Sequence, residues 1–161
     1  MNARSERPPW EDEHGRVPLA RLFGMAFSTL IEDLHARLAK SGFDDARPAF
    51  GFVLLKARHQ SVTAKEIAEQ NGTSKQAATK LLALMESCGY LRRAPNNVDG
   101  RERPFELTPR GRKLLTRVEA IYRELEAEWA RVIGNAGVES VRSEVTRALR
   151  ARHGGNLPPV R

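Results

Sequence analysis

Lys75, Gln76, Thr79 and Lys80 are the residues of this chain whose types and spacing best suit a specific chemical task. At a helical period they share one face with Ala83, while Ala78, Leu81, Leu82 and Met85 share the opposite face, edged by Ala77 and Leu84. Two ammonium groups, an amide and a hydroxyl on a short face free of acids match the donors and acceptors that base edges present in a DNA major groove. A solvated helix surface has the same composition, so the face alone does not decide. A second set of cations follows. Arg92, Arg93, Arg101 and Arg103 flank Pro95-Asn96-Asn97-Val98-Asp99-Gly100, a run of turn residues. On a thin ribbon, such guanidiniums can lie along phosphates while one at the tip enters a minor groove. Asp99 stands two residues before Arg101, close enough to orient it by a charge-assisted bond or to serve as an Asx-turn residue.

The elements that must carry these groups can be read from local chemistry. Thr63 followed by Glu66 is a capping box and predicts a helix start. Ile67 and Ala68 give that helix a small inward face, and Asn71-Gly72 ends it. Ser74, with Thr73 as a rival, caps the helix that carries the polar face. Tyr90-Leu91 through Ala94 reads as a strand and Pro104 to Leu107 as its return. Helix, turn, helix and basic β-wing make a winged helix-turn-helix. The candidate DNA contacts are Thr63, Ser74, Lys75, Gln76, Ala78, Thr79, Lys80, Arg92, Arg93, Asp99, Arg101 and Arg103.

From about Leu19 to Gly155 the chain resembles the MarR family of bacterial transcription regulators. The resemblance rests on the run Ser74-Lys75-Gln76-Ala77-Ala78-Thr79-Lys80-Leu81, the Gly89-Tyr90-Leu91 exit, Asp99-Gly100-Arg101, and Leu107-Thr108-Pro109-Arg110-Gly111. In that family the Asp-x-Arg signature marks the wing and the Leu-Thr-x-x-Gly element opens a long dimerisation helix. Tyr90 departs from the aliphatic residue commoner there, and Arg103-Pro104 departs in the wing. The resemblance implies a homodimer, with double-stranded DNA as partner and a small aromatic effector in a cleft between the dimer helices and the DNA lobe. Phe23, Phe27, His35, Phe50 and Trp129 are the residues to search for that cleft, although aromatics at helical spacing are commonly plain core.

Beyond the module, Leu19, Leu22, Phe23, Ala26, Phe27, Leu30, Ile31, Leu34 and Leu38 form an apolar stripe on a first helix. Ala49 to Ala57 is apolar nearly all round and should be buried. Thr108 and Pro109 open a long helix whose seam runs through Leu114, Val118, Ile121, Leu125, Trp129 and Val132. After Gly134 to Gly137 a last helix carries Val138, Val141, Val145 and Leu149. These stripes exceed what one compact lobe needs. Leu19, Leu22, Phe23, Leu125, Trp129, Val141, Val145 and Leu149 are therefore the candidate dimerisation residues.

The expected class is mainly α with a small β-wing. One domain spans 16–155, with the winged helix-turn-helix at about 45–108 and dimerisation helices at about 17–40 and 108–152. An arm at 1–15 and a tail at 156–161 are expected to be loose. A length of 161 residues fits one domain, and a formal charge of +7 favours a polyanionic partner. The single cysteine, Cys88, cannot form an internal disulfide and reads as a packing residue. Met1 to His14 lacks the apolar core of a signal peptide, and no run approaches membrane-spanning length, so the expected location is the cytoplasm. His14, His35, His59 and His153 are scattered, with no metal-ligand spacing. No nucleophile constellation or phosphate loop is present. The expectation is a regulator rather than an enzyme, with no cofactor or metal. A winged-helix module binding DNA without sequence choice, or binding protein, is the alternative.

Overall fold

The structure, a computed structural model, describes residues 8–95 and 103–158. The chain runs α1 (Leu19–Lys40), α2 (Phe50–Ala57), α3 (Ala64–Asn71), α4 (Lys75–Ser87), β1 (Leu91–Arg93), β2 (Phe105–Leu107) and α5 (Pro109–Arg152). It is mainly helical with a small antiparallel ribbon. Leu91 pairs with Leu107, Arg92 with Glu106 and Arg93 with Phe105. Val62, just ahead of α3, bridges to Phe105 on the other edge of β2 through bonds of 2.8 and 2.7 Å.

Helix starts follow the capping chemistry. Thr63 and Glu66 exchange both bonds of the capping box, and α3 stops at Gly72, whose N–H donates to the Ala68 carbonyl. The Ser74 hydroxyl accepts the Ala77 N–H at 3.1 Å, and the Thr108 hydroxyl accepts the Gly111 N–H at 3.0 Å ahead of Pro109.

The core gathers under α4. Phe50, Val53, Leu54, Val62, Ile67, Ala78, Leu82, Met85, Tyr90 and Leu107 from the lobe meet Leu34 and Leu38 of α1 and Leu114, Ile121 and Leu125 of α5. The expectation that α2 is buried all round does not hold. An eight-residue helix at the rim turns one side outward, leaving Leu55 exposed.

α1 and α5 run antiparallel. As α1 passes from Leu30 through Arg37 to Ser41, its neighbours on α5 run back from Trp129 through Glu128 and Glu124 to Arg117. α5 is broken at Gly134, where φ 76° and ψ 157° leave the helix region. A positive φ there favours glycine. Arg142 bonds Glu126 at 3.0 and 3.2 Å, whereas 16 residues of unbroken helix would separate them by about 24 Å. The two arms of α5 therefore fold back on each other, and the last helix expected after Gly134 is the second arm.

Apolar stripes on both terminal helices change character along their length. Leu34 and Leu38 are buried, but Leu19, Leu22, Phe23 and Phe27 are exposed. Leu114, Leu115, Ile121 and Leu125 are buried, but Trp129, Val132 and Ile133 are exposed. Because the helices are antiparallel, the uncovered halves lie at the same end. Leu125 is therefore core, not a dimerisation residue: the lobe and α1 already cover it.

The arm also differs from expectation. Residues 8–16 form a turn in which the Asp12 carboxylate accepts the N–H groups of His14 and Arg16 at 2.9 Å each. Arg21 ties that turn to α1 by donating to the Trp10 carbonyl at 2.8 Å. Among the described residues no helix is long and apolar enough to cross a membrane.

Candidate nucleic-acid interface

α4 separates its two faces cleanly. Ala78, Leu82 and Met85 are buried, Leu81 and Leu84 are half-buried against the core, and Lys75, Gln76, Thr79, Lys80 and Ala83 are exposed. Burying one face fixes the helix, so the other is presented as a rigid surface. The Thr79 hydroxyl donates back to the Lys75 carbonyl at 2.8 Å. Two candidates fall away from this surface. Ala78 is 1% exposed and belongs to the core. Thr63 is half-buried, and its hydroxyl both donates to Glu66 at 2.9 Å and accepts the Glu66 N–H at 3.3 Å, so it serves the start of α3. The Thr63 N–H on the Glu66 carboxylate holds that group below its usual range, against the opposing effect of burial.

The ribbon beside α4 carries its cations differently. Arg92 Nε donates to Glu106, directly across the strand pair, at 2.8 Å. Arg93 lies 3.7 Å from Glu86 of α4 and 4.5 Å from the centre of the Phe105 ring. Both are partly exposed, but their charges are already offset. Arg92 ties β1 to β2 and Arg93 ties the ribbon to α4, so neither guanidinium stands unopposed. Arg103 is exposed at the end of the described ribbon, while Asp99 and Arg101 lie outside the described residues.

Behind α4 lies a node that periodicity did not single out. Tyr90, wholly buried, donates its hydroxyl to Asp45 in the loop between α1 and α2. Arg110 Nη2 reaches the same carboxylate at 3.1 and 3.3 Å and the phenol oxygen at 3.3 Å. The guanidinium stacks 4.9 Å from the Tyr90 ring centre and 5.5 Å from that of Phe43. Phe50 meets Tyr90 edge-on at 5.8 Å. Burial pushes the phenol well above the usual tyrosine range, and the Asp45 carboxylate adds to the rise. Burial would also raise the Asp45 carboxyl, but the Tyr90 hydroxyl and Arg110 outweigh it and hold that group low. The start of α5 closes on the same point: Thr108 donates its N–H to the Tyr90 carbonyl at 3.1 Å and its hydroxyl to the Gly89 carbonyl at 2.6 Å. A side chain at Gly111 would drive into the Tyr90 carbonyl.

Next to this node is a narrow cleft of about 50 Å³ between α1, α2, α5 and the loop at 46–48. His35, Phe50, Arg47 and Tyr122 line it, and the buried His35 Nε2 atom has no hydrogen-bond partner among the described residues. Trp129 sits in an adjoining crevice that shares Tyr122. Phe23 and Phe27 lie outside the cleft, exposed on the outer half of α1. Aromaticity selected them, whereas the cleft is walled by a loop and by a tyrosine on α5.

The MarR family model matches residues 47–102, from the start of α2 into the wing. Over 111 residues the chain is 28% identical to the HTH-type transcriptional repressor Rv2887 of Mycobacterium tuberculosis, covering 69% of this chain and 78% of the relative. The chain is thus similar to the MarR family. Its members are transcription regulators and not enzymes. Solved structures agree on the fold. MarR of E. coli, in its reduced form, superposes with a TM-score of 0.70 at 24% identity, covering 83% of this chain and 98% of that one. The M. tuberculosis relative in complex with DNA gives 0.62 at 22%, covering 83% and 98%. The same relative in complex with salicylic acid gives 0.62 at 22%, covering 83% and 97%.

Proposed function

We propose that this chain is a sequence-specific DNA-binding transcription regulator, a repressor that acts as a homodimer on a near-palindromic operator. The observation that carries the reading is the outer face of α4. Lys75, Gln76, Thr79 and Lys80 stand exposed on a helix locked to the core by Ala78, Leu82 and Met85. Gln76 and Thr79 read base edges, and the two lysines hold phosphates or guanines. Arg101, oriented by Asp99 and supported by Arg103, is the wing contact. Two copies joined through the exposed ends of α1 and α5 would set their α4 helices in successive major grooves roughly 34 Å apart.

The cleft beside Tyr90 is the proposed effector site. Its apolar walls suit an aromatic ring, while His35 and the exposed Arg47, both lining it, suit a carboxylate or phenol. Salicylic acid, which the M. tuberculosis relative binds, has this chemistry. An effector there would release the DNA.

Affinity for the DNA that the protein selects from its own genome, compared with random duplex at matched salt, tests the reading. Gln76→Ala should lose about 1–3 kcal/mol on the selected sequence and little on random DNA. Equal affinity of the parent for both duplexes would refute sequence-specific binding.

A further inference from the structure

The wall of the cleft and the exit of α4 are held by the same three side chains. Ala46, Arg47 and Pro48 line the cleft, and Asp45 precedes them in the same loop. Asp45 accepts the Tyr90 hydroxyl, and Tyr90 is where α4 gives way to β1, its own N–H capping the helix at the Met85 carbonyl at 2.9 Å. Phe50 touches both: it lines the cleft and meets the Tyr90 ring. Arg110 completes the group from the first turn of α5.

At about 50 Å³ the cleft is small for an aromatic ring, since a cavity of roughly 150 Å³ is the size known to hold benzene. A ring can enter only if a wall moves. The walls from α1 and α5 are cross-tied: Arg37 bonds Glu124 and Glu128, and Arg117 bonds Glu124 and Ser41. Phe43 anchors the start of the loop, its N–H donating to the Leu38 carbonyl of α1 at 3.0 Å and its ring lying under Arg110 of α5. Among the described residues, however, 46–48 make no bond to α1 or α5, only local ones such as Ala46 N–H to Phe43 O at 3.1 Å. The loop or Phe50 is therefore the wall that yields, and either movement bears on Tyr90.

We propose that Tyr90 is a positioning residue, clasped by Asp45 and Arg110, which couples the cleft wall to the orientation of α4 and the wing. The clasp closed holds the helix for DNA and keeps the cleft narrow. A ring in the cleft opens it. The proposal rests on the regulatory reading above and supplies its route. By linkage, a clasp that opposes the ring must also favour the DNA-bound orientation, so removing it should weaken both the DNA complex and the mutual effect of the two sites.

The test uses the full chain with Tyr90→Phe, which keeps the ring in place and removes the hydroxyl, and with Asp45→Asn. Amide hydrogen exchange, measured without DNA, should accelerate together at 43–49 and 85–91 in both variants and stay unchanged at 64–71. Salicylate should accelerate the same two segments in the parent. On the selected duplex Tyr90→Phe should bind at least about fivefold more weakly, the lower end of the usual coupling between two linked sites. Salicylate should bind that variant more tightly than the parent, yet shift its DNA affinity by a smaller factor. Unchanged exchange at 85–91 in Tyr90→Phe overturns the clasp, as does an unchanged salicylate effect on DNA affinity, or parental exchange that ignores salicylate. Exchange needs no DNA, so a parent that fails to prefer its selected duplex refutes the DNA reading while the exchange result still decides the clasp.

Discussion

The DNA lobe and the terminal helices treat apolar side chains in opposite ways. In the lobe, Val53, Val62, Leu82, Met85 and Tyr90 show no exposed surface. On the outer halves of α1 and α5, Leu19 is 68%, Phe27 60% and Val132 84% exposed. The same composition rule produced both regions, since each helix carries a stripe at helical spacing. One region closes on itself and presents a polar face, while the other closes halfway and then presents apolar surface. A contiguous patch of that kind marks an interaction site rather than a solvated surface. The difference fits the division of tasks proposed above, an outer lobe face for DNA and terminal helices for a second copy.

The largest expected effect comes from spoiling that half-interface. Phe27→Asp places a carboxylate on an already exposed position, so the single chain should fold as before, with an unchanged far-ultraviolet circular dichroism spectrum. In a dimer the same carboxylate would be buried without a partner. Light scattering should then report a monomer at micromolar concentration. Affinity for a two-half-site operator should fall by about 10²–10⁴, the factor lost when two linked contacts become one. A Phe27→Asp protein that still scatters as a dimer would move the interface elsewhere on the surface.

A pair of truncations sharpens the contrast. Ile67→Ala, in the closed lobe, should cost about 2–5 kcal/mol in urea unfolding, because it deletes buried methylene groups and leaves a cavity. That loss should be the same at every protein concentration. Trp129→Ala, in the open region, should leave lobe stability near the parental value and weaken association instead, so that its melting temperature depends more steeply on concentration. Identical concentration dependence for the two variants would erase the distinction.

Much of the lobe was legible because its signals are local. Thr63 with Glu66, Ser74 ahead of α4, and Thr108-Pro109 ahead of α5 each declare a helix start within four residues, and all three do so in the structure. The broken helix at Gly134 was announced by glycine in the same way. The misreadings concern relations between distant residues. Periodicity marks Leu125 and Trp129 as one stripe, but whether α1 covers a given turn depends on where an antiparallel neighbour ends. Ala78 lies within the recognition run yet faces inward, because sequence adjacency on a helix is not adjacency on a face. For Arg92 and Arg93, read as cations for DNA, spacing does not show the acids beside them: the strand register sets Glu106 opposite one and α4 brings Glu86 to the other. Tyr90 was visible only as an unusual residue at the α4 exit, since Asp45 stands 45 positions before it and Arg110 20 after it. No local pattern connects those three.

The smallest expected effect is an acid dependence that belongs to the lobe. The Asp45 carboxyl, with an ordinary value of 3.8, is held lower in the folded chain. Burial works against this, and the Tyr90 hydroxyl and the Arg110 charge prevail. A carboxyl with a depressed folded value binds fewer protons folded than unfolded at intermediate pH, so stability rises with pH there. Its contribution is fully present above the unfolded value and is lost as pH falls through the folded one, which sets the window below about pH 4. With 36% of the Asp45 side chain exposed, solvent screening keeps that contribution under about 1 kcal/mol. Asp45→Asn can still accept the Tyr90 hydroxyl but carries no charge for Arg110. Urea unfolding at pH 7 should therefore find this variant slightly less stable than the parent, and the two curves should draw together progressively as pH falls below about 4. Glu66, held low mainly by the Thr63 N–H, would remain in both proteins and give each the same residual slope. Parallel curves across that window would mean that Asp45 contributes no charge-dependent stability. The clasp would then be a contact of shape, and the closed lobe would owe its rigidity to packing alone.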